Sequence, residues 1–101
     1  MIVEFSIVPI GKGESLAELI AKVVDIVDKS GLPYKLTSMG TIVEGEWNDL
    51  MELIKECHFK MKQYAPRVMT CITIDDREGA RGRIEGKIED VEEILGRELK
   101  K

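Results

Sequence analysis

Tyr34-Lys35-Leu36-Thr37-Ser38-Met39-Gly40-Thr41-Ile42-Val43-Glu44-Gly45-Glu46-Trp47 alternates polar and apolar side chains on either side of Gly40. A period of two marks a half-buried strand, so the stretch reads as two short strands, Tyr34 to Met39 and Thr41 to Glu46, joined tightly. No Asn-Gly type pair stands at the joint, which leaves the geometry of the turn open. Two adjacent strands between two helical stretches decide the topology.

The helices on either side are explicit. From Leu16, the apolar residues Leu19, Ile20, Val23, Val24, Ile26 and Val27 fall within about 160° of a helical wheel, with Glu18, Lys22, Asp25, Asp28 and Lys29 opposite. Ser15 with Glu18 forms a capping box at its start, and Gly31 with Pro33 ends it. Downstream, Leu50, Ile54, Cys57, Met61 and Tyr64 form the stripe of a second helix over Trp47 to Tyr64, which Pro66 closes. Ile2 to Ile10 (IVEFSIVPI) reads as a first strand with Val3, Phe5 and Ile7 inward, and Arg67 to Ile74 (RVMTCITI) as a fourth. Ile84, Ile88, Val91, Leu95 and Leu99 then recur at helical spacing. The order β-α-β-β-α-β plus a C-terminal helix predicts an α+β, ferredoxin-like sandwich: an antiparallel four-stranded sheet with two helices on one face.

The chain's 101 residues make one domain, and about 65% of its extended surface can be buried at this length, enough for a core. With 44% hydrophobic and 34% charged residues it has the balance of a globular domain. No apolar run approaches the roughly 18 residues of a membrane span, and Met1-Ile2-Val3-Glu4 lacks the basic start of a secretory signal. A net charge of −4 and five aromatic residues argue against nucleic acid or an anionic membrane as partner. Cys57 and Cys71 both lie in apolar segments without paired spacing. They are expected to be reduced core residues of a cytoplasmic protein.

Two helices cover one side of such a sheet. The first strand is nevertheless apolar at nearly every position, so the other side is expected to be sheltered, by the third helix or by a second copy of the chain. An oligomer is the better fit. Phe59, which projects into the polar side of the second helix, is either a lone exposed aromatic or a contact of that kind.

Candidate chemistry is sparse. His58, the one histidine, has no neighbouring nucleophile or orienting acid in the sequence and reads as structural. One histidine with two unpaired cysteines makes no usual zinc set, and the acidic residues follow no calcium-loop pattern, so no metal is expected. Gly11-Lys12-Gly13-Glu14-Ser15 precedes a helix but lacks P-loop spacing. Arg77, Arg81 and Arg83 are interleaved with Asp75, Asp76 and Glu78, a self-neutralising turn. The stretch that opened the reading carries more. Gly40 and Gly45 permit close approach of a ligand to backbone, Ser38 and Thr41 offer hydroxyls, Glu44 and Glu46 offer anionic acceptors, and Trp47 or Met39 offers a surface for a ring. Ile42, Glu44 and Glu46 on one face would join Glu4 and Ser6 on the side away from the helices. The mixture suits a small cationic heterocycle bearing amino groups. An ordinary hairpin, with solvated glutamates and a core tryptophan, is the competing reading.

Gly31-Leu32-Pro33-Tyr34, Met39-Gly40-Thr41 with Glu44-Gly45-Glu46-Trp47, and Thr73-Ile74-Asp75-Asp76-Arg77 together make the chain similar to the thiamine-binding proteins of ferredoxin-like fold. The match in length and element order covers nearly the whole sequence. The resemblance implies a homo-oligomer, a homodimer or homotetramer, that binds thiamine or its aminopyrimidine part without catalysing a reaction, and it places Gly40, Thr41, Glu44 and Glu46 in the pocket. Ser6, Ser38 and Met39 are added on geometric grounds. No cofactor beyond that ligand is implied. Two alternatives stay open: a small acylphosphatase-like enzyme using the Lys12 turn, and a regulatory module docking a partner through Phe59 or the last helix. Against the first, Lys12 stands alone where acylphosphatases use an arginine, and the sole asparagine, Asn48, opens a helix instead of lying on a strand.

Overall fold

In the computed structural model, which describes residues 1–11, 16–79 and 81–101, the expected order is found. The elements are β1 (Ile2–Ile10), α1 (Leu16–Lys29), β2 (Tyr34–Leu36), β3 (Thr41–Glu44), α2 (Trp47–Lys62), β4 (Arg67–Asp75) and α3 (Arg83–Leu95). The sheet is antiparallel with strand order β2-β3-β1-β4, the ferredoxin-like arrangement. The capping box at Ser15 and the Lys12 turn lie outside the described residues. No described helix is long and apolar enough to cross a membrane.

Alternation along β1 sorts its side chains by parity. Val3, Phe5 and Ile7 are buried against α1 and α2, while Glu4 and Val8 are exposed on the far side. The core is completed by Val43 of β3, by Leu19, Val23 and Val27 of α1, and by Leu50, Leu53, Ile54, Cys57 and Met61 of α2. Each of the larger side chains contributes about 1.5–3 kcal/mol by leaving water, which is what holds both helices to one face. Gly31 ends α1 with a left-handed backbone (φ 77°), as its position after the last periodic residue predicts.

The bare face is built from Ile2, Glu4, Ser6, Val8 and Ile10 of β1 and their partners Asp75, Thr73, Cys71, Met69 and Arg67 on β4. This corrects the expectation for Cys71. Its register opposite Ser6 turns it away from the helices, and it is exposed, whereas Cys57 is fully buried. An apolar neighbourhood in sequence does not distinguish the two sides of an edge strand. The core tryptophan of the competing hairpin reading is not found: Trp47 opens α2 and is half exposed.

Both strands of the central hairpin are shorter than the alternation suggests, because the turn takes up Thr37 to Gly40. The Thr37 hydroxyl accepts the backbone N–H groups of Met39 and Gly40 and donates to the Gly40 carbonyl. The Thr37 N–H bonds the same carbonyl at 2.9 Å. A threonine side chain thus supplies the turn chemistry that an Asn-Gly pair would have announced.

Candidate functional site

The seven residues singled out in the sequence occupy two places. Five of them, Ser6, Ser38, Met39, Gly40 and Thr41, line one cavity of about 310 Å³ between β1, α1 and the β2–β3 turn. That is the lower end of the size range for small-molecule sites. Glu44 and Glu46 line a separate cleft of about 890 Å³ beyond the other end of β3, together with Trp47, Arg77 and Arg81.

The cavity exists because β3 is short. Its pairing with β1 ends at Phe5 opposite Thr41, while the pairing of β1 with β4 runs on to Ile10 opposite Arg67. From Ser6 onward, β1 therefore has no strand on its β3 side. Backbone N–H and C=O groups along that edge need another partner, water or a ligand. Across the gap stands the turn, drawn close by Gly40. A Cβ built on Gly40 would lie 2.9 Å from the Phe5 carbonyl oxygen, so no residue with a side chain fits there without displacing backbone. Ile20, Val24 and Leu36 supply apolar walls. Ile20 is 42% exposed, which explains why the apolar stripe of α1 is wider than the core alone requires.

Thr41 is the one polar residue buried among those described, at 8% exposure. Its hydroxyl has no side-chain hydrogen-bond partner among them, and it lines the cavity. Ser6 is half-buried, and Ser38 is exposed at the turn. Met39 stands 84% exposed at the turn tip. No charged side chain lines this space among the described residues.

The two glutamates lie apart from that cavity. Glu44 lies on the bare face as its register opposite Ile2 dictates. Its Oε1 accepts the backbone N–H of Arg83 at 2.9 Å and that of Ile84 at 3.4 Å. Glu46 does not share that face: the strand ends before it, and it serves as the residue preceding α2. Its exposed carboxylate stands 3.9 Å from the Arg81 guanidinium. Sequence spacing cannot show this division, because both carboxylates follow the alternation as if the strand continued.

The remaining candidates resolve into structure. The His58 Nδ1 and the Thr70 hydroxyl are 2.6 Å apart, tying α2 to β4, and the His58 ring meets Phe59 edge-on at 5.0 Å. Arg83 pairs with Asp90 at 3.2 Å. The Cys57 thiol is pushed up to about 12, chiefly by burial and then by the Glu56 charge, and is inert at neutral pH. No group of three or more potential ligands could hold a metal ion among the described residues.

The family model described as thiamine-binding protein matches residues 3–92 of this chain. The UPF0045 protein MJ1052 of Methanocaldococcus jannaschii is 30% identical over 94 residues, spanning 93% of this chain and 94% of that one. The UPF0045 protein YqgV of Bacillus subtilis is 35% identical over 100 residues, 93% of this chain and 96% of its own length. Among solved structures, MJ1052 superposes with a TM-score of 0.82 at 30% identity, covering 91% of this chain and 95% of the other. A proposed thiamine biosynthesis/salvage protein, TM0486 from Thermotoga maritima, gives 0.80 at 28% identity, covering 89% and 96%.

Proposed function

This chain belongs to the thiamine-binding protein family, and from that premise we propose that it is a non-enzymatic, homo-oligomeric binding protein for thiamine or its hydroxymethylpyrimidine part. The observation that carries the reading is the cavity at the edge of β1, which beyond Phe5 has no strand on its β3 side and which the largely buried Thr41 lines. An aminopyrimidine presents a donor beside an acceptor along one edge, the pattern that an unpaired strand edge complements. The Thr41 hydroxyl adds a group able to donate or accept. Ile20, Val24 and Leu36 take the ring faces, and Met39 closes over them from the turn.

The absence of a charged lining among the described residues orients the ligand. The pyrimidine, uncharged at neutral pH, occupies the cavity, because moving the quaternary thiazolium there would strip its hydration without an ion partner. The thiazolium stays at the mouth, in water. Glu44 and Glu46 are not anchors in this arrangement, since they lie at the other end of β3. Binding without turnover is proposed because it is what the family description names.

Titration calorimetry at neutral pH with thiamine, the free pyrimidine alcohol and the free thiazole alcohol tests this. The first two are expected to bind with affinities within about tenfold of each other, and the thiazole not to bind. Heats equal to dilution for both pyrimidine compounds would overturn the assignment.

A further inference from the structure

We propose that the turn between β4 and α3, with the start of α2, forms a second binding site, for a phosphomonoester carried on a planar ring with amino groups, of which a nucleoside monophosphate is the type. Along the sequence, Arg77, Arg81 and Arg83 are balanced by Asp75, Asp76 and Glu78. The fold separates these charges. Gly79 and Gly82 take left-handed backbones (φ 75° and 63°) that turn the chain back on itself. The three arginines then line one recess of about 240 Å³, in which Glu78 is the one carboxylate among the described residues. Arg83 is held by Asp90 at 3.2 Å, and Arg81 reaches Glu46 only at 3.9 Å. Arg77 makes no salt bridge among the described residues. Three guanidiniums around one carboxylate leave a positive recess on a chain of net charge −4. Their planar forks of donors match the oxygens of a phosphate.

The recess is too small for a whole organic ligand, but it shares Arg77, Glu78, Gly79 and Arg81 with the cleft of about 890 Å³ beyond β3. That cleft also holds Trp47, 52% exposed, together with Leu32 and Pro33. The approach of Arg81 to Glu46, the residue before Trp47, places the arginine turn at the start of α2. A tryptophan open to a cleft offers a face on which a planar ring stacks. Glu46, Asp49, Asp76 and Glu85 line the cleft as well, while the fifth further carboxylate, Glu44, is engaged with the amides of α3. The free carboxylates accept hydrogen bonds from amino groups on such a ring and repel additional phosphates, which selects a monoester over a di- or triphosphate. This site lies at the other end of β3 from the Thr41 cavity and is independent of the thiamine reading.

Titration with AMP, adenosine and inorganic phosphate tests it, read by calorimetry and by the fluorescence of Trp47, the single tryptophan. Arg77→Gln and Arg81→Gln are compared with Arg67→Gln, which removes the same charge at the start of β4. AMP is expected to quench Trp47 saturably, adenosine to bind at least tenfold more weakly, and inorganic phosphate to compete with AMP without quenching. Each of the two turn variants is expected to weaken AMP binding at least tenfold, while Arg67→Gln stays within twofold of wild type. Saturating thiamine is expected to leave the AMP curve unchanged. No saturable AMP binding at millimolar concentration, equal affinity for adenosine, or wild-type AMP affinity in both turn variants would overturn the site. Displacement of AMP by thiamine would overturn its being a second one. Calorimetric heats for thiamine itself report the first site separately, so the two readings fail independently.

Discussion

The Glu44 carboxylate on β3 and the backbone N–H of Arg83 at the start of α3 are joined at 2.9 Å across 39 residues of sequence. Gly82, which precedes α3, has no side chain to satisfy the first amides of the helix, so a strand residue does it instead. The negative charge also suits the positive end of the helix. Glu44 is thus the point at which α3 is tied to the sheet. Glu44→Ala is expected to cost about 1 kcal/mol, the ordinary value of a helix N-cap, and to speed amide exchange throughout α3. Thiamine affinity is expected to stay within about twofold. Hydrogen exchange read by NMR, with calorimetry on the same variant, checks both halves.

Gly40→Ala tests how closely the β2–β3 turn must approach β1. The added Cβ meets the Phe5 carbonyl oxygen at 2.9 Å, and backbone on both sides must move. Overpacking of this kind costs about 1–3 kcal/mol, so the melting temperature is expected to fall by several degrees. Displacement of the turn also opens the cavity wall, and thiamine affinity is expected to fall at least tenfold. Thermal unfolding and titration of the same variant separate the two effects.

Thr41→Val removes the hydroxyl and keeps the shape. Folding stability is expected to be unchanged or slightly raised, because the lost hydroxyl has no side-chain partner among the described residues. Ligand affinity is expected to weaken by about 0.5–1.5 kcal/mol, the net value of one hydrogen bond. Unchanged affinity would remove Thr41 from the site.

The turn, the cavity and the bare face differ in how legible they are from sequence. Element order, the inward set Val3, Phe5 and Ile7, and the α2 stripe follow from periodicity, because burial on one side imposes it. Ser6 and the Ser38–Thr41 segment line one cavity because the hairpin joint brings the turn beside the edge of β1, although parity turns Ser6 to the bare face and Thr41 to the helices. Glu44 and Glu46 could not be separated that way. Alternation continues through Glu46, yet the strand stops at Glu44 as the chain turns to enter α2. Cys71 was misread for a related reason: β4 is an edge strand with apolar residues on both sides, so hydrophobicity carries no parity there. The role of Glu44 depends on a contact 39 residues away, which no local pattern encodes.

Cys57 gives the pH dependence its sign. Burial, with the Glu56 charge, lifts the thiol from an ordinary value near 9 to about 12 in the folded protein. Below pH 9 both folded and unfolded chains keep the proton, and the contribution to stability is constant. As pH rises from 9 toward 12 the unfolded chain ionises first, so stability falls across that window. Cys57→Ser, whose hydroxyl does not titrate there, is expected to lose that part of the alkaline slope. Denaturant midpoints at pH 8, 9.5 and 11 for the two proteins check it.

The ring's position is tested most directly by a crystal structure of the protein grown with thiamine. The predicted result is a pyrimidine between Ile20, Leu36 and the Thr37–Gly40 turn, its edge bonded to β1 beyond Phe5 and to the Thr41 hydroxyl, with the thiazolium facing solvent. A ring lying instead on Trp47 in the cleft beside Glu46, or a cavity filled by water alone at saturating thiamine, would contradict the account.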